Sequence, residues 1–139
     1  MQQDKVAILI KVASLEFEKI SNPYFAKYEL TAAQYKILKY LYAEPTGTAR
    51  VTDFEKYYSM THPTTLGLLD YLEKKGFIER VDNPNDGRGK LVALTDKANE
   101  MRDILLSLGE SIEDELTKTL TKKEKEQLVA LLLKLLNRG

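Results

Sequence analysis

The chain has 139 residues, enough for one domain that buries roughly two-thirds of its unfolded surface without help from disulfides or metal. It holds no cysteine and one histidine, which excludes a disulfide framework, a thiolate zinc site and a cysteine nucleophile. The 21 basic and 21 acidic residues cancel, so a nucleic-acid partner has to be argued from local placement of charge and not from the total.

The opening segment, "MQQDKVAILIKVASLEFEKI", carries charges through its apolar positions. It has no run long enough to span a bilayer and no cleavage site of small residues, so a cytoplasmic protein without membrane association is expected. From Val6 to Ile20 the apolar residues recur at steps of three and four, the period of an amphipathic helix. Asn22-Pro23 is expected to interrupt it. In "LTAAQYKILKYLYAE", Thr31 and Gln34 have the spacing of a capping box, and a second helix runs from there until Pro45. After "PTGTAR", Thr52 and Glu55 repeat that spacing and open a short helix through about Tyr58. "SMTHP" makes a turn, and Pro63 suits the first turn of a further helix, Thr64 to Lys75, which ends at Gly76 in a left-handed C-cap.

At Phe77 the pattern changes. "FIERV" and "KLVAL" read as two strands on either side of the turn "NPNDGRG", Asn83 to Gly89. Thr95 caps a long helix from Asp96 to about Thr117. Thr121 and Glu124 form a third capping box, opening a last helix with a stripe of Leu128, Leu131, Leu132, Leu135 and Leu136. That stripe is denser than one protomer of this size would cover, and a shared dimer interface accounts for it. The order is helix, helix, short helix, helix, hairpin, helix, helix.

Two short helices followed by a hairpin is the chain order of a winged helix-turn-helix. The second helix of the pair begins with the hydroxyl-bearing residues Thr61, Thr64 and Thr65, where base edges and phosphates would be met. A hairpin tip projecting from such a module lies beside the minor groove. Arg88, the cation at the tip, would read that groove's negative potential and width. Taken alone, an Asp-Gly hairpin tip is ordinary turn chemistry, and a helix pair is also compatible with a plain helical core.

The segments "LTAAQYKILKYL", "THPTTLGLLDYLEKKGFIER" and "NPNDGRGKLVALT" resemble the MarR (multiple antibiotic resistance regulator) family of bacterial and archaeal transcription factors, and the resemblance extends over nearly the whole chain. It implies a mostly α fold with a small β-hairpin wing, a winged helix-turn-helix set in an intertwined homodimer through its N- and C-terminal helices. Residues 1–30 and 96–139 would then be dimerisation helices and residues 31–95 the DNA-binding lobe. The resemblance further implies a ligand-responsive regulator, a repressor, on a pseudo-palindromic operator of double-stranded DNA. Ser59, Thr61, His62, Thr64 and Thr65 match the family's base- and phosphate-contacting segment. Asp86 matches the wing acid that pairs with the wing arginine, here Arg88, while Lys90 and Arg80 stand where phosphate contacts would be made. The recognition helix departs from a strongly basic pattern, with Asp70 and Glu73 ahead of Lys74 and Lys75.

His62 has two readings, a contact to DNA or the extended residue before Pro63 that caps the helix. The aromatic group around the first two helices, Tyr24, Phe25, Tyr28 and Tyr35, is either core with hydroxyls reaching solvent or the pocket for a small aromatic or phenolic effector, which the family binds near this junction. No cofactor and no metal are expected: one histidine and no cysteine leave too few ligands, and no phosphate-cradling glycine loop is present. An enzyme is accordingly not expected. The competing function is a winged-helix module that binds protein in place of DNA; Arg88 and Lys90 weigh against it. From the placement of Arg88, the prediction is that Arg88→Ala costs about 1–3 kcal/mol of DNA affinity and flattens the salt dependence. An anisotropy titration with both quantities unchanged would rule the arginine out.

Overall fold

The computed structural model describes residues 5–85 and 89–138. Its helices are α1 (Val6–Ala26), α2 (Ala32–Ala43), α3 (Val51–Tyr58), α4 (His62–Lys74), α5 (Asp96–Glu100), α6 (Arg102–Leu116) and α7 (Lys122–Leu135), with strands β1 (Thr48–Ala49), β2 (Ile78–Asp82) and β3 (Lys90–Leu94). The fold is mostly helical, a winged helix-turn-helix in which α3 and α4 form the helix pair and β2–β3 the wing. The tip residues Asp86, Gly87 and Arg88 lie outside the described residues, and with them the expected Asp86–Arg88 pair.

Several boundaries follow from local chemistry. Thr31 and Gln34 form the expected reciprocal box: the Gln34 N–H donates to Thr31 Oγ1 at 3.3 Å and the Thr31 N–H to Gln34 Oε1 at 2.9 Å. Thr121 and Glu124 do the same for α7, at 3.1 and 2.9 Å. Gly76 has φ 82, and the Phe77 N–H reaches back to the Leu72 carbonyl at 2.9 Å, so α4 ends in a left-handed cap that a side chain would strain.

Elsewhere the local patterns lose to tertiary contacts. Pro23 does not end α1, which continues to Ala26 with the proline inside it. The last turn is held by Phe25, wholly buried and stacked on Tyr35 with ring centroids 4.4 Å apart, and Asn22 Oδ1 accepts the Ala32 N–H at 2.9 Å. Helix α3 does not start from a Thr52–Glu55 box. Instead Thr48 and Ala49 pair with Ala93 and Val92 of β3, so the chain leaves the sheet at Arg50 and turns helical at once, and the Arg50 N–H donates to Asp53 Oδ2 at 2.8 Å. The recognition helix likewise begins two residues before Thr64, with Thr61 as its N-cap. The expected helix from Asp96 to Thr117 is interrupted at Met101 (φ −90, ψ 0). The Tyr42 hydroxyl donates to the Ala98 carbonyl at 2.5 Å, the acceptor that the Arg102 N–H would use in a continuous helix, and a side chain inserted into that ladder breaks it.

The sheet has the order β1-β3-β2, all antiparallel, so the wing is a hairpin with a third, two-residue strand on its edge. Phe25, Ile37, Leu38, Leu41, Phe54, Leu69, Leu72, Ile78, Val92 and Leu105 form one core, each at most 2% exposed. Two elements stay largely outside it. Helix α1 buries only Ser21 and Phe25, and α7 buries no residue.

Gly109 of α6 faces the Tyr35 side chain so closely that a Cβ there would collide with its hydroxyl. That hydroxyl is buried and has no hydrogen-bond partner among the described residues. Gly109→Ala should therefore destabilise the fold by about 1–3 kcal/mol through overpacking, outweighing the ~1 kcal/mol that alanine adds to a helix. Tyr35→Phe in the same chain should recover most of the loss in urea unfolding; no recovery would mean that the contact is not the cause.

Candidate nucleic-acid interface

The helix pair is joined by a turn that its residues dictate. Ser59 takes a left-handed conformation (φ 54, ψ 46) as the C-cap of α3, and the Met60 N–H donates to the Glu55 carbonyl at 3.0 Å. Thr61 then caps α4: its Oγ1 accepts the Thr64 N–H at 3.3 Å and lies 3.0 Å from Thr64 Oγ1. Ser59, Thr61, His62, Pro63 and Thr64 are all exposed. The start of α4 thus presents three hydroxyls and an imidazole to solvent on one edge of the domain.

Thr65 does not share that placement. It is fully buried, and its hydroxyl donates to the Thr61 carbonyl at 2.8 Å. The expectation that it offers a hydroxyl to DNA is corrected accordingly: at the spacing Thr65, Leu69, Leu72 it belongs to the core face of the helix. His62 is not the extended cap of its second reading: Thr61 is the N-cap, and His62 is the first helical residue of α4, exposed, with Nδ1 2.7 Å from Glu55 Oε2 on α3. Glu55 was not foreseen as its partner. The two residues are seven apart across a turn, and no sequence period links such positions.

The strands of the wing carry two further ion pairs. Arg80 of β2 reaches Asp70 of α4, Nη2 to Oδ1 at 3.4 Å, and so ties the base of the wing to the recognition helix. Its side chain is 27% exposed, less free for a phosphate than its position in the sequence suggests. Lys90 Nζ lies 2.7 Å from Asp82 Oδ1, across the register pair Asp82↔Lys90. That hydrogen bond, with the lysine's charge, holds the Asp82 carboxyl below its ordinary pKa. Both side chains remain in solvent, so the pair adds little stability.

The expected effector residues are divided between two surroundings. Phe25 and Tyr35 line a cleft of about 740 Å³ between α1, α2 and α6, together with Phe17, Lys36, Tyr57, Tyr58, Gly109 and Lys125. Burial, and then the charge of Glu110, pushes the Tyr35 phenol up to about 12. Burial also pushes Tyr58 up, and its hydroxyl donates to the Lys36 carbonyl at 2.7 Å. Tyr24 and Tyr28 do not line the cleft: the Tyr24 hydroxyl donates to Glu115 at 2.8 Å, and Tyr28 is half-buried with Lys27 Nζ 5.7 Å from its ring centroid. Among the described residues no group of three or more acidic or histidine side chains converges to hold a metal, and no helix is long and apolar enough to cross a membrane.

The MarR family model matches residues 30–90, from just before α2 to the first residue of β3. The multiple antibiotic resistance protein MarR of Salmonella typhimurium is 35% identical over 92% of this chain and 88% of its own length. The chain belongs to the MarR family. Among solved structures, a MarR variant from Escherichia coli in complex with operator DNA is 32% identical and superposes with a TM-score of 0.83, covering 94% of this chain and 93% of that one. The Staphylococcus aureus MepR–DNA complex is 28% identical with a TM-score of 0.84 and covers 99% and 100%. In this MarR-family chain the exposed and buried threonines should separate by experiment. Thr65→Val is expected to lower stability by about 0.5–1.5 kcal/mol through the lost hydrogen bond while leaving the ionic-strength dependence of duplex binding unchanged. A changed salt slope in the folded variant would return Thr65 to the interface.

Proposed function

We propose that this MarR-family chain is a dimeric, ligand-responsive DNA-binding transcriptional regulator of the cytoplasm, acting as a repressor on a pseudo-palindromic operator. The observation that carries this reading is the exposed row Ser59, Thr61, His62 and Thr64 at the N-terminal end of α4, set on a helix whose opposite face is buried. In the major groove such a row meets base edges and phosphates, and the wing, with Lys90 on β3 and Arg88 at its tip, meets the backbone and the flanking minor groove. The two relatives solved on DNA share this fold over almost the whole chain.

Dimerisation through residues 1–30 and 96–139 is supported by apolar surface that the chain does not cover itself. Val6, Ile8, Leu9 and Val12 of α1 are at least 50% exposed, as are Val129, Leu131 and Leu135 of α7. A soluble protomer rarely leaves so much apolar surface without a partner, and a second copy would bring the two lobes onto paired half-sites about one helical turn apart. The cleft between α1, α2 and α6 has the size and lining for a small aromatic or phenolic anion: aromatic walls, the unpartnered Tyr35 hydroxyl, and Lys36, Lys39 and Lys125 at its edge.

The test is a fluorescence-anisotropy titration of the duplex lying upstream of the protein's own reading frame, beside a scrambled duplex, at two salt concentrations. Preferential binding is expected, with affinity falling as salt rises by a logarithmic slope of roughly −0.9 per phosphate neutralised. The same sample should sediment as a dimer. Equal weak binding to both duplexes by a monomer would overturn the proposal.

A further inference from the structure

The Glu55–His62 contact says more than that the two helices touch. A carboxylate can only accept a hydrogen bond, so an imidazole Nδ1 at 2.7 Å from Glu55 Oε2 must carry the proton. In the neutral ring Nε2 is then a bare lone pair, an acceptor. The carboxylate is the sequestered partner, its side chain 19% exposed, while the imidazole is 64% exposed, so the ring edge left to solvent is the one bearing Nε2. This edge sits in the first turn of the recognition helix, among the exposed hydroxyls of Thr61 and Thr64. A phosphate oxygen is itself only an acceptor, and against it a neutral His62 would set one lone pair against another. Protonation turns Nε2 into a donor while Glu55 keeps Nδ1 and supplies the counter-charge.

We propose that DNA binding by this chain is coupled to protonation of His62, with Glu55 as the positioning residue that holds the ring's Nδ1–H inward and its Nε2 toward a phosphate. The inference rests on the DNA-binding reading and adds to it a dependence on pH. Besides Glu55, helix α3 carries Asp53, engaged with the Arg50 N–H at the far end of the helix, and Lys56, and the Arg138 guanidinium donates to the Lys56 carbonyl at 3.0 Å. Helix α4 has no charged residue after His62 until Asp70. Imidazole is the side chain whose unperturbed charge changes between pH 5 and 8, and this is the sequence's sole histidine. The proton is drawn from solvent and retained by two anions, Glu55 and phosphate. The sign follows: protonation is favoured in the complex, so affinity is high on the acid side and falls as pH rises through the imidazole range.

The experiment measures affinity of the full chain for the upstream duplex and for a random-sequence duplex at low salt, from about pH 6 to about pH 8, with His62→Gln and Glu55→Gln alongside and thermal melts of each to confirm folding. Affinity of the unaltered chain should fall on the order of tenfold across this range. Calorimetry in two buffers of different ionisation enthalpy should show about half a proton taken up near pH 7, the net uptake that a roughly tenfold change over two pH units requires. His62→Gln should flatten the profile, and Glu55→Gln, which keeps the shape but removes the charge, should displace it to lower pH. Firm binding with a flat profile overturns the inference and leaves the DNA-binding reading standing. So does affinity that rises with pH, which would make Nε2 an acceptor for a base amine, or a slope that survives His62→Gln. Failure to bind either duplex at any pH overturns both.

Discussion

Thr65, Leu69 and Leu72 form the inner face of α4 and are each wholly out of solvent. The rest of the molecule depends on that burial. Removing two leucine side chains from water contributes about 1.5–3 kcal/mol each, so the rotation of the helix about its axis is settled by the core and not by whatever lies outside. Once the inner face is set, His62 and Thr64 have nowhere to point but outward. Thr61 sits at the pivot. Its hydroxyl caps the helix, while its carbonyl takes both the Thr65 N–H and the Thr65 hydroxyl, so the outward residues are attached to a turn with little freedom.

The sheet performs the same service for the wing. Strand β3 lies in the middle, paired on one side with the two residues of β1 and on the other with all five of β2, so the hairpin is anchored into the domain along its inner half. Arg80 adds a link from β2 to Asp70 of α4. Recognition helix and wing therefore share a core at Ile78 and Val92 and an ion pair at the surface, which makes them a single rigid reading head and not two independent contacts. Such preorganisation lowers the ordering cost of binding.

Between the reading head and the terminal helices lies the cleft that contains Tyr35. Its walls come from α1, α6, α2 and the last turn of α3, and the buried tyrosine hydroxyl lacks a partner among the described residues. A buried donor left unpaired is costly. Aromatic contacts continue from the cleft toward the helix pair: Tyr40 packs edge-on against Phe54, Tyr57 and Tyr58 of α3, and Arg138, just beyond α7, lies 4.9 Å from the Tyr57 ring centroid. A continuous run of aromatic contacts thus joins the cleft to the helix pair, and the terminal helices that frame the cleft are those with uncovered apolar faces.

What the sequence determined by itself is what depends on near neighbours along the chain. Helix periodicity, the Thr31–Gln34 and Thr121–Glu124 boxes, the left-handed cap at Gly76 and the two strands of the wing all involve groups within a few residues of each other, and the structure contains each of them. The threonines, the histidine and the wing cations were legible as a pattern for the same reason. Only the tertiary structure decided which of them are available. Thr64 and Thr65 are alike as letters, yet one is exposed and the other is core, because a helix advances 100° per residue and the hydrophobic face has to be filled. Pro23 remains inside α1 because Phe25 stacks on Tyr35, α3 starts at Val51 because β1 pairs with a strand more than forty residues away, and the helix after Thr95 breaks because Tyr42 takes a carbonyl from it. Glu55 meets His62, and Asp70 meets Arg80, across turns whose closure is a property of the packed core. Contacts of that kind have no period in the chain, so they become visible only when the core has brought the elements together.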